Sequence, residues 1–463
     1  MQSPYAKRSG LSEAEMGSIS RLLAVPVPRY TSYPTAPHFH AGITAPEYSA
    51  WLEAQPADRP LSLYFHIPFC DTLCWFCGCH MTVVNGYAPV REYRALLLEE
   101  IELVAAALKK RHTVCHIHWG GGSPTILPAD DIARLNERTR TNFDVLREVD
   151  FAVEIDPRGL SPDTVLALKA AGVTRASLGL QDCDPVVQRA INRVQSNEET
   201  ALAVNMLRDA GIASLNLDLI YGLPHQTLAS WEKTLNFALS LSPDRLAVFG
   251  YAHVPQFKKH QALIPQEALP DIDLRFHLAE LARQILCAHG YVAIGLDHFA
   301  KSHDPLARAA ASGTVSRNFQ GYTTDSAPIL IGMGASAIGS LPQGYVQNVT
   351  GVPAYRDAIN AGELPVARGV ALQGEDRMRR DIIERLMCDL RVDLNAIAAG
   401  YHLTPEVFSA SLEEISPLVK GGVVEICDGT IIVSPAWRSA VRLVCAAFDQ
   451  YLPRQTARHS MAV

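Results

Sequence analysis

The chain has 463 residues, of which 48% are hydrophobic and 19% charged, so it can bury a large core and is not a disordered chain. Its net charge of −7 argues against a general nucleic-acid-binding protein, which would usually be basic. The first ten residues lack the apolar segment of a secretory signal, and no apolar stretch approaches the ~20 residues needed to span a bilayer. The 10 cysteines, four of them clustered, do not resemble a secreted disulfide framework. We therefore expect a cytoplasmic protein.

Residues 1–58 are predicted to form an N-terminal arm. Residues 11–23 have the pattern of a short helix, with Ser12 as its cap. The proline-broken stretch R-Y-T-S-Y-P-T follows and carries Arg29, Tyr30 and Tyr33, which cannot form a regular helix there. Two interpretations stay open for this stretch: a lid over the functional site, or an arm that is merely packed on the core.

A cluster of cysteines follows the first predicted strand. Residues 64–80 read Y-F-H-I-P-F-C-D-T-L-C-W-F-C-G-C-H, which places Cys70, Cys74 and Cys77 in C-x3-C-x2-C spacing and Cys79 two positions later. Residues 61–67 are apolar and β-branched or aromatic, as in a buried strand, and Pro68 ends that strand. The thiols are therefore expected on one loop at the carboxyl end of a strand.

The thiol spacing is typical of an inorganic centre. Thiolates suit iron–sulfur clusters and zinc, and a zinc site would need Cys79 or His80 as its fourth ligand. A four-iron cluster held by three cysteines would leave one iron open for chemistry. Unliganded core cysteines are the remaining alternative.

From residue 61 onward, short strands alternate with amphipathic helices. This alternation predicts an α/β fold with a parallel sheet and right-handed crossovers, closed into a partial (β/α)6 barrel over residues 59–350. The six strands are predicted at 61–67, 113–119, 151–155, 175–180, 215–220 and 245–251.

Each of these strands ends in polar residues or glycine. One buried carboxylate is usually structural, but six such exits at one end of successive strands indicate a functional site. After the cysteines, the exits carry, in order, Gly120, Gly121 and Gly122; Glu154; Gln181 and Asp182; Asp218; and Tyr251, Ala252 and His253. The glycines are expected to expose backbone amides to a ligand.

Residues 351–463 are predicted to form a small, mostly helical C-terminal domain. Helices at 376–389, 394–399 and 404–420 precede a hairpin around Asp428–Gly429, and a helix at 436–451 closes the chain. This order is winged-helix-like. Too few arginines are present for a groove-reading surface, so we interpret the domain as a cover for the barrel.

The segment around the cysteines resembles the signature of the radical S-adenosylmethionine (SAM) enzymes. Its extended form, Y-x-H-I-P-F-C-x3-C-x-F-C-G-C, together with R-Y-T-S-Y-P-T, is similar to the oxygen-independent coproporphyrinogen III oxidases of haem biosynthesis. Related haem chaperones usually lack a cysteine at the position of Cys79. A chaperone without decarboxylase activity is the alternative function.

The resemblance implies a radical SAM barrel with a [4Fe–4S] cluster on Cys70, Cys74 and Cys77, two bound molecules of SAM, and Cys79 outside the ligand set. Tyr64, Cys79 and Arg29 are the candidate catalytic residues. From their position in the chain near the expected mouth of the barrel, Arg29, Arg317 and His298 are candidates for binding substrate carboxylates. The residues that it implies for SAM are Tyr64, Phe76, Gly121, Gly122, Ser123, Glu154, Gln181, Arg193, Asp218, Ala252 and Ile338.

The activity that the resemblance implies is the oxidative decarboxylation of two propionates of coproporphyrinogen III to vinyl groups, which gives protoporphyrinogen IX. The implied partners are that substrate and a flavodoxin-type electron donor. We expect a monomer that binds neither nucleic acid nor a membrane.

Overall fold

A computed structural model describes residues 25–452, so the helix predicted at 11–23 lies outside the described residues. The described chain is built on a 12-stranded sheet, with smaller sheets of two or three strands beside it. None of its helices is both long and apolar enough to cross a membrane.

The strands share a short length, and most lie between helices. In chain order they are β1 (Leu61–Ile67), β2 (Phe69–Cys70), β3 (Thr82–Val83), β4 (Thr113–Gly121), β5 (Asp144–Ile155), β6 (Arg175–Gln181), β7 (Ser214–Tyr221), β8 (Arg245–Gly250), β9 (Tyr291–Ile294), β10 (His298–Lys301), β11 (Ser316–Asn318), β12 (Gly321–Thr323), β13 (Ile329–Met333), β14 (Ile338–Leu341), β15 (Gly344–Asn348), β16 (Val366–Ala371), β17 (Arg391–Asp393), β18 (Val424–Cys427) and β19 (Thr430–Val433).

The α-helices of the described residues are α1 (Ala45–Glu53), α2 (Ala88–Leu108), α3 (Ala129–Asn142), α4 (Pro162–Ala171), α5 (Pro185–Ala190), α6 (Asn197–Asp209), α7 (Leu228–Ser240), α8 (Ile272–Ala288), α9 (Pro305–Ser312), α10 (Val352–Asn360), α11 (Asp376–Asp389), α12 (Leu394–Gly400), α13 (Ser409–Lys420) and α14 (Val441–Ala446).

The six predicted strands form the parallel centre of the large sheet. They are β1, β4, β5, β6, β7 and β8, each paired in parallel with the next. This arrangement confirms the predicted α/β fold. A seventh parallel strand, β13, pairs with the other edge of β1 and was not predicted. Because β1 has a parallel neighbour on each side, all seven of its residues are buried.

Antiparallel strands extend the sheet at both ends. β14, β15 and β16 continue it beyond β13, and β10 and β9 continue it beyond β8. The sheet therefore reaches Ala371 at the end of β16. Both α10 and β16 thus lie past the boundary predicted at residue 350. Helix α10 also belongs to this body, since Tyr355 donates a hydrogen bond to Glu100 of α2 at 2.6 Å.

Local capping fixes where several helices begin and end. Ser161 accepts a hydrogen bond from the Thr164 amide at 3.1 Å and starts α4, as predicted. Gly172 ends the same helix in the left-handed conformation at a φ of 97°.

Residues 376–452 form a separate cluster of elements, here called the C-terminal module. The predicted helices and the hairpin around Asp428–Gly429 are present, and β17 adds a third strand to the hairpin. The continuous helix predicted at 436–451 is wrong. A 3-10 segment at Pro435–Ala440 precedes the short α14, and buried Trp437 has non-helical backbone angles that kink the chain within this 3-10 segment.

The first described residues of the N-terminal arm are built into the core of the C-terminal module, whereas Ile43, Tyr48 and Leu52 pack in the core of the barrel. Val27, Tyr30 and Tyr33 are buried in the same apolar cluster as the helices of that module. Arg29 donates a hydrogen bond to the Gly250 carbonyl at the end of β8, and His40 forms a bridge with β16. The arm thus links two strands that lie near opposite ends of the sheet.

Candidate active site at the carboxyl ends of the strands

Cys70 ends β2, and the other three clustered cysteines lie on the loop between β2 and β3, shortly beyond the end of β1. Their side chains line one cavity of about 190 Å³. Cys74 is buried, Cys70 and Cys77 are half-buried, and Cys79 is exposed. The strand therefore delivers the thiols to a common space, as the sequence predicts.

Side chains from two other segments hold the backbone of this loop. Asn192, just after α5, donates to the Leu73 carbonyl at 2.8 Å. Lys258 donates to the Cys79 carbonyl at 2.8 Å, and His260 lies 2.7 Å from the Cys77 carbonyl. Backbone groups that water would otherwise solvate are thus bonded within the protein, and the loop has a defined shape.

The thiols differ in their electrostatic surroundings. A hydrogen bond with Cys79 lowers the pKa of the Cys77 thiol to about 6, so Cys77 is a ready thiolate ligand. Burial raises the pKa of Cys70 to about 12. The guanidinium groups of Arg158 and Arg193 lie 3.6 and 3.5 Å from the sulfur of Cys74.

No three His, Cys, Asp or Glu side chains in residues 25–452 lie close enough together to hold a single metal ion. A cluster of several irons accepts more widely spaced thiolates than one ion does, because each thiolate binds a different iron. The donor set of three cysteines on one loop fits such a cluster.

The glycines after β4 pack against protein atoms. The amides of Gly121, Gly122 and Ser123 donate to Glu154, the Ile67 carbonyl and the Phe69 carbonyl at 3.0, 2.9 and 2.7 Å. The expectation of amides exposed to a ligand is therefore wrong for Gly121 and Gly122. A Cβ at Gly122 would lie 2.5 Å from the Phe69 carbonyl oxygen, so glycine is required here by the close approach of two backbones.

Glu154 is held by two neighbours at the end of β5. Its carboxylate accepts from the Gly121 amide and lies 3.1 Å from Nε2 of His118. Burial would raise the pKa of Glu154, but the hydrogen bond and charge of His118, together with the hydrogen bond from the Gly121 amide and the charge of His66, outweigh burial and keep the pKa below its ordinary value. Glu154 is therefore a fixed anion facing the cavity.

Tyr64 lies behind this carboxylate. Its ring packs against His118 at a centroid distance of 5.7 Å, and its hydroxyl lies 2.9 Å from Nδ1 of His66. Nε2 of His66 lies 2.9 Å from the carbonyl of His80. These contacts connect β1 both with Glu154 and with the end of the cysteine loop.

Two polar side chains at the end of β6 retain atoms without partners. Gln181 has a left-handed φ of 64°, and its buried Oε1 has no hydrogen-bond partner. Arg193 bonds to Asp156 and to the Gly179 carbonyl, yet its buried Nε has no partner. Buried orphan atoms and left-handed backbone outside glycine are typical of ligand sites.

Asp218 of β7 faces the same space. Its two oxygens accept from Ser177 at 2.9 Å and from Asn216 at 2.7 Å. Burial raises the pKa of Asp218 to about 6, although the hydrogen bond from Ser177 opposes this shift. Its charge therefore changes within the range of mildly acidic pH.

Most of the residues assigned to the site from sequence lie around the cysteine cavity. These are Cys70, Cys74, Phe76, Cys77, Cys79, Gly121, Gly122, Ser123, Glu154, Gln181, Arg193 and Asp218. Tyr64, Ala252 and Ile338 are not in its lining, and Arg29 lines a different cavity beside β8.

The sequence analysis missed several residues of this cavity. Asp156 and Arg158 lie in it and form an ion pair at 2.6 Å. They follow Glu154 in the motif A-V-E-I-D-P-R, so the motif itself was the signal. His66 and His118 lie outside the lining of this cavity but contact Tyr64 and Glu154, and their signal was weaker, because alternate residues of a strand share one face.

Two further cavities continue from the cysteine cavity. One, of about 230 Å³, includes His298 and shares Glu154, Ser177 and Asp218 with the cysteine cavity. The next, of about 350 Å³, includes Arg317 and residues 30–33 of the arm. The two shared carboxylates connect the cysteine site with interior space large enough for part of a substrate.

The comparisons with known proteins agree with this geometry. Residues 64–238 match the model of the Radical SAM superfamily, which defines the class of the fold and of its cysteine site. A structure of coproporphyrinogen III oxidase from Escherichia coli, described as a radical SAM enzyme, covers 92% of this chain and 98% of its own, with a TM-score of 0.87 and 38% identity.

Curated relatives extend the similarity over the whole domain arrangement. An oxygen-independent coproporphyrinogen III oxidase of Bradyrhizobium diazoefficiens is 51% identical over 437 residues, 94% of this chain and 97% of the relative. One from Salmonella typhimurium is 41% identical over 435 residues, 93% and 94% of the two chains. The chain belongs to the oxygen-independent coproporphyrinogen III oxidase family.

Proposed function

We propose that this protein catalyses the oxidative decarboxylation of two propionate side chains of coproporphyrinogen III, which gives protoporphyrinogen IX. Each propionate loses one hydrogen from its β-carbon, one electron and CO2, and a vinyl group remains. The observation that carries this proposal is the 51% identity over 94% of the chain to a relative named for this reaction.

Cys70, Cys74 and Cys77 are the proposed ligands of a [4Fe–4S] cluster, and the cavity beside them is the proposed site of SAM. When bound, the reduced cluster and SAM supply a 5′-deoxyadenosyl radical able to remove hydrogen from an unactivated carbon. The anionic Glu154 and the orphan oxygen of Gln181 offer acceptors to the amino group and hydroxyls of SAM. A second SAM beside Arg193 and Asp218 is part of the proposal.

The substrate is proposed to enter the interior space that adjoins the cysteine cavity. The two cavities share Glu154, Ser177 and Asp218 in their linings, so a propionate in the adjoining space would lie next to the proposed SAM site. Arg317 stacks on Tyr322 at 4.3 Å, and two of its buried nitrogens lack partners. Such a guanidinium is a suitable partner for a second propionate.

The remaining parts of the proposal concern partners and location. A flavodoxin-type protein would donate the electron, and the enzyme would act as a monomer in the cytoplasm without nucleic acid or a membrane. The C-terminal module, together with the arm, would serve as a cover that excludes water and oxygen from the barrel.

Anaerobic turnover tests the function. The cluster-loaded protein is incubated with SAM, a low-potential reductant and coproporphyrinogen III. The products are then separated by chromatography and identified by mass spectrometry. We expect the divinyl product, and none with the matched variant Cys74→Ser. Cleavage of SAM without any loss of CO2 from the porphyrinogen would contradict the proposal.

A further inference from the structure

A small cavity beside β8 is separate from the cysteine cavity. It lies among the ends of β7 and β8, helix α8, the C-terminal module and the arm, and has a volume of about 70 Å³. Five arginines line it, one from the arm and two each from α8 and the C-terminal module: Arg29, Arg275, Arg283, Arg438 and Arg442. Nothing in the proposed cluster and SAM chemistry uses this arrangement.

The positive charge in this cavity exceeds the negative charge that faces it. The lining contains only two carboxylates, Glu280 and Asp297. Glu280 is paired with Arg283 at 2.5 Å, and Asp297 lies 2.8 Å from Nδ1 of His298. For Arg29 and Arg438, Asp297 is therefore the one remaining carboxylate among the described residues of the lining. Enclosed charges of one sign are costly unless an opposite charge accompanies them.

Arg438 is the least compensated of the five. Its Nε and Nη1 are buried and have no hydrogen-bond partner. It lies on the 3-10 segment that buried Trp437 anchors in the core of the C-terminal module, so its backbone is fixed close to the cavity. A buried guanidinium without an acceptor indicates a missing ligand.

Three of the other arginines donate hydrogen bonds to backbone carbonyls. Arg29 bonds to the Gly250 carbonyl at 2.8 Å, Arg275 to the Tyr251 carbonyl at 2.9 Å and Arg442 to the Pro28 carbonyl at 2.9 Å. These carbonyl oxygens orient the guanidinium groups within the cavity. The cavity is thus preorganised for an anion.

The pKa values of two of the arginines agree with an excess of positive charge in the cavity. Burial, with the neighbouring charge of Arg29 next in size, lowers the pKa of Arg442 to about 9. Burial also lowers the pKa of Arg438, and the charge of Arg283 adds to that shift. An anion in the cavity would relieve both costs.

We propose that this cavity, called here the arginine cavity, binds a small oxyanion, either a carboxylate or a phosphate. Its volume suits one such group and excludes a tetrapyrrole ring. Where the oxyanion is a propionate of coproporphyrinogen III, the inference rests on the proposed function. Where it is a free anion, the site stands without that function.

The cavity lies where a substrate side chain could reach it. Gly250 and Tyr251, at the carboxyl end of β8, belong to its lining, and the cysteine cavity lies at the same end of the strands. The arm contributes Arg29, so the arm and the module would be ordered together by the bound anion.

Calorimetric titration of the cluster-loaded, full-length protein with inorganic phosphate tests the site. The buffer contains no carboxylate, sulfate or other oxyanion that could compete for the cavity. We expect binding to the native protein and an affinity at least about tenfold lower in Arg438→Gln, since a charge-assisted hydrogen bond is lost. Arg147→Gln, on an exposed residue of β5, is the matched control and should bind as the native protein does.

A competition experiment with coproporphyrinogen III identifies the source of the oxyanion. If phosphate competes with coproporphyrinogen III and Arg438→Gln raises the KM about tenfold, with SAM cleavage in the absence of substrate unchanged, the occupant is a propionate. If phosphate binds through Arg438 without competition, the occupant is a free anion. No phosphate binding together with an unchanged KM overturns the proposal. Absent turnover of coproporphyrinogen in every variant would count against the proposed function and leave the phosphate result to decide the site.

A second variant keeps the test independent of any folding defect in Arg438→Gln. Ala279 of α8 lines the cavity, so Ala279→Glu would place a carboxylate inside it. We expect a higher Tm than for Ala279→Gln, which has the same size without the charge, and loss of phosphate binding. Equal Tm values for the two variants and retained phosphate binding would contradict an anion site.

Discussion

At the residue scale, Gly121 shows how closely the strand ends pack. Its φ is 111°, and a Cβ there would lie 2.5 Å from Cε1 of His66. Its amide also donates to Glu154. Through these two contacts, Gly121 fixes the positions of the His66 and Glu154 side chains relative to each other.

Gly121→Ala should therefore destabilise the fold by more than the ~1–2 kcal/mol that left-handed backbone alone costs. Gly159→Ala is the control, because Gly159 has a φ of 73° but no atoms within 4 Å of its Cβ position. Chemical unfolding of both variants measures the difference. His66→Ala in the Gly121→Ala background should recover part of the loss, and equal losses for the two glycine variants would contradict the packing role.

The cysteines give a second prediction at this scale. Ser variants of Cys70, Cys74 and Cys77 should each lose the cluster, whereas Cys79→Ser should retain it, because only the first three match the radical SAM spacing. Iron and labile sulfide in the anaerobically purified variants measure this. Full iron content in Cys74→Ser would show that the ligand assignment is wrong.

Asp218 gives a prediction of pH dependence. Burial raises its pKa to about 6, so the carboxylate is protonated below that pH and charged above it. Because SAM is cationic, its affinity should rise as the pH increases through 6 and fall as the pH decreases. Equilibrium SAM binding between pH 5 and 7.5 measures the effect, with Asp218→Asn expected to bind weakly and without this dependence.

The same shift has the opposite consequence for stability. A carboxyl whose pKa is raised by folding binds its proton more tightly in the folded state, so stability falls as pH rises from ~4, its ordinary pKa, to about 6. Asp218→Asn should remove this part of the dependence. A native protein whose SAM affinity does not change across pH 6 would contradict a role for Asp218 at the SAM site.

At the element scale, the arm is the part whose structure departs most from a simple lid. Tyr33 is 1% exposed within the core of the C-terminal module, and its hydroxyl accepts from the Gln450 amide at 3.1 Å. The arm is thus a structural part of that module, in accordance with the packed alternative.

Tyr33→Ala should destabilise the C-terminal module by about 3–5 kcal/mol, because a large buried ring is lost. The cluster should still assemble, since its loop is held by residues of the barrel. Hydrogen exchange of residues 376–452 and iron content measure the two effects. Val25→Ala, at an exposed position of the same arm, should change neither. Unchanged exchange in Tyr33→Ala would contradict the packing.

The sequence predicted those elements that local pattern determines. Residues 61–67 and the helix from Ser161 to Gly172 agree with the structure, because apolar runs, caps and glycine stops act over a few residues. Strand β13 was missed because its pairing with β1 joins residues more than 260 positions apart. The closing helix was overpredicted because its break at Trp437 depends on tertiary burial.

At the scale of the whole molecule, contacts between distant segments decide the site. The sequence identified most residues of the cysteine cavity, since each follows a strand and parallel strands end together. It did not reveal that Arg29 lies beside Gly250, 221 residues away, or that five arginines meet there. Such contacts depend on how the arm and the C-terminal module pack against the sheet.

The most direct test of the proposed reaction follows the hydrogen atom that is removed from the propionate β-carbon. Coproporphyrinogen III carrying deuterium on the β-carbons of its propionates is turned over anaerobically, and the 5′-deoxyadenosine that forms is analysed by mass spectrometry. If the 5′-deoxyadenosyl radical removes the β-hydrogen, we expect deuterium in the 5′-deoxyadenosine together with the appearance of protoporphyrinogen IX. Unlabelled 5′-deoxyadenosine accompanied by protoporphyrinogen IX would contradict the proposed reaction.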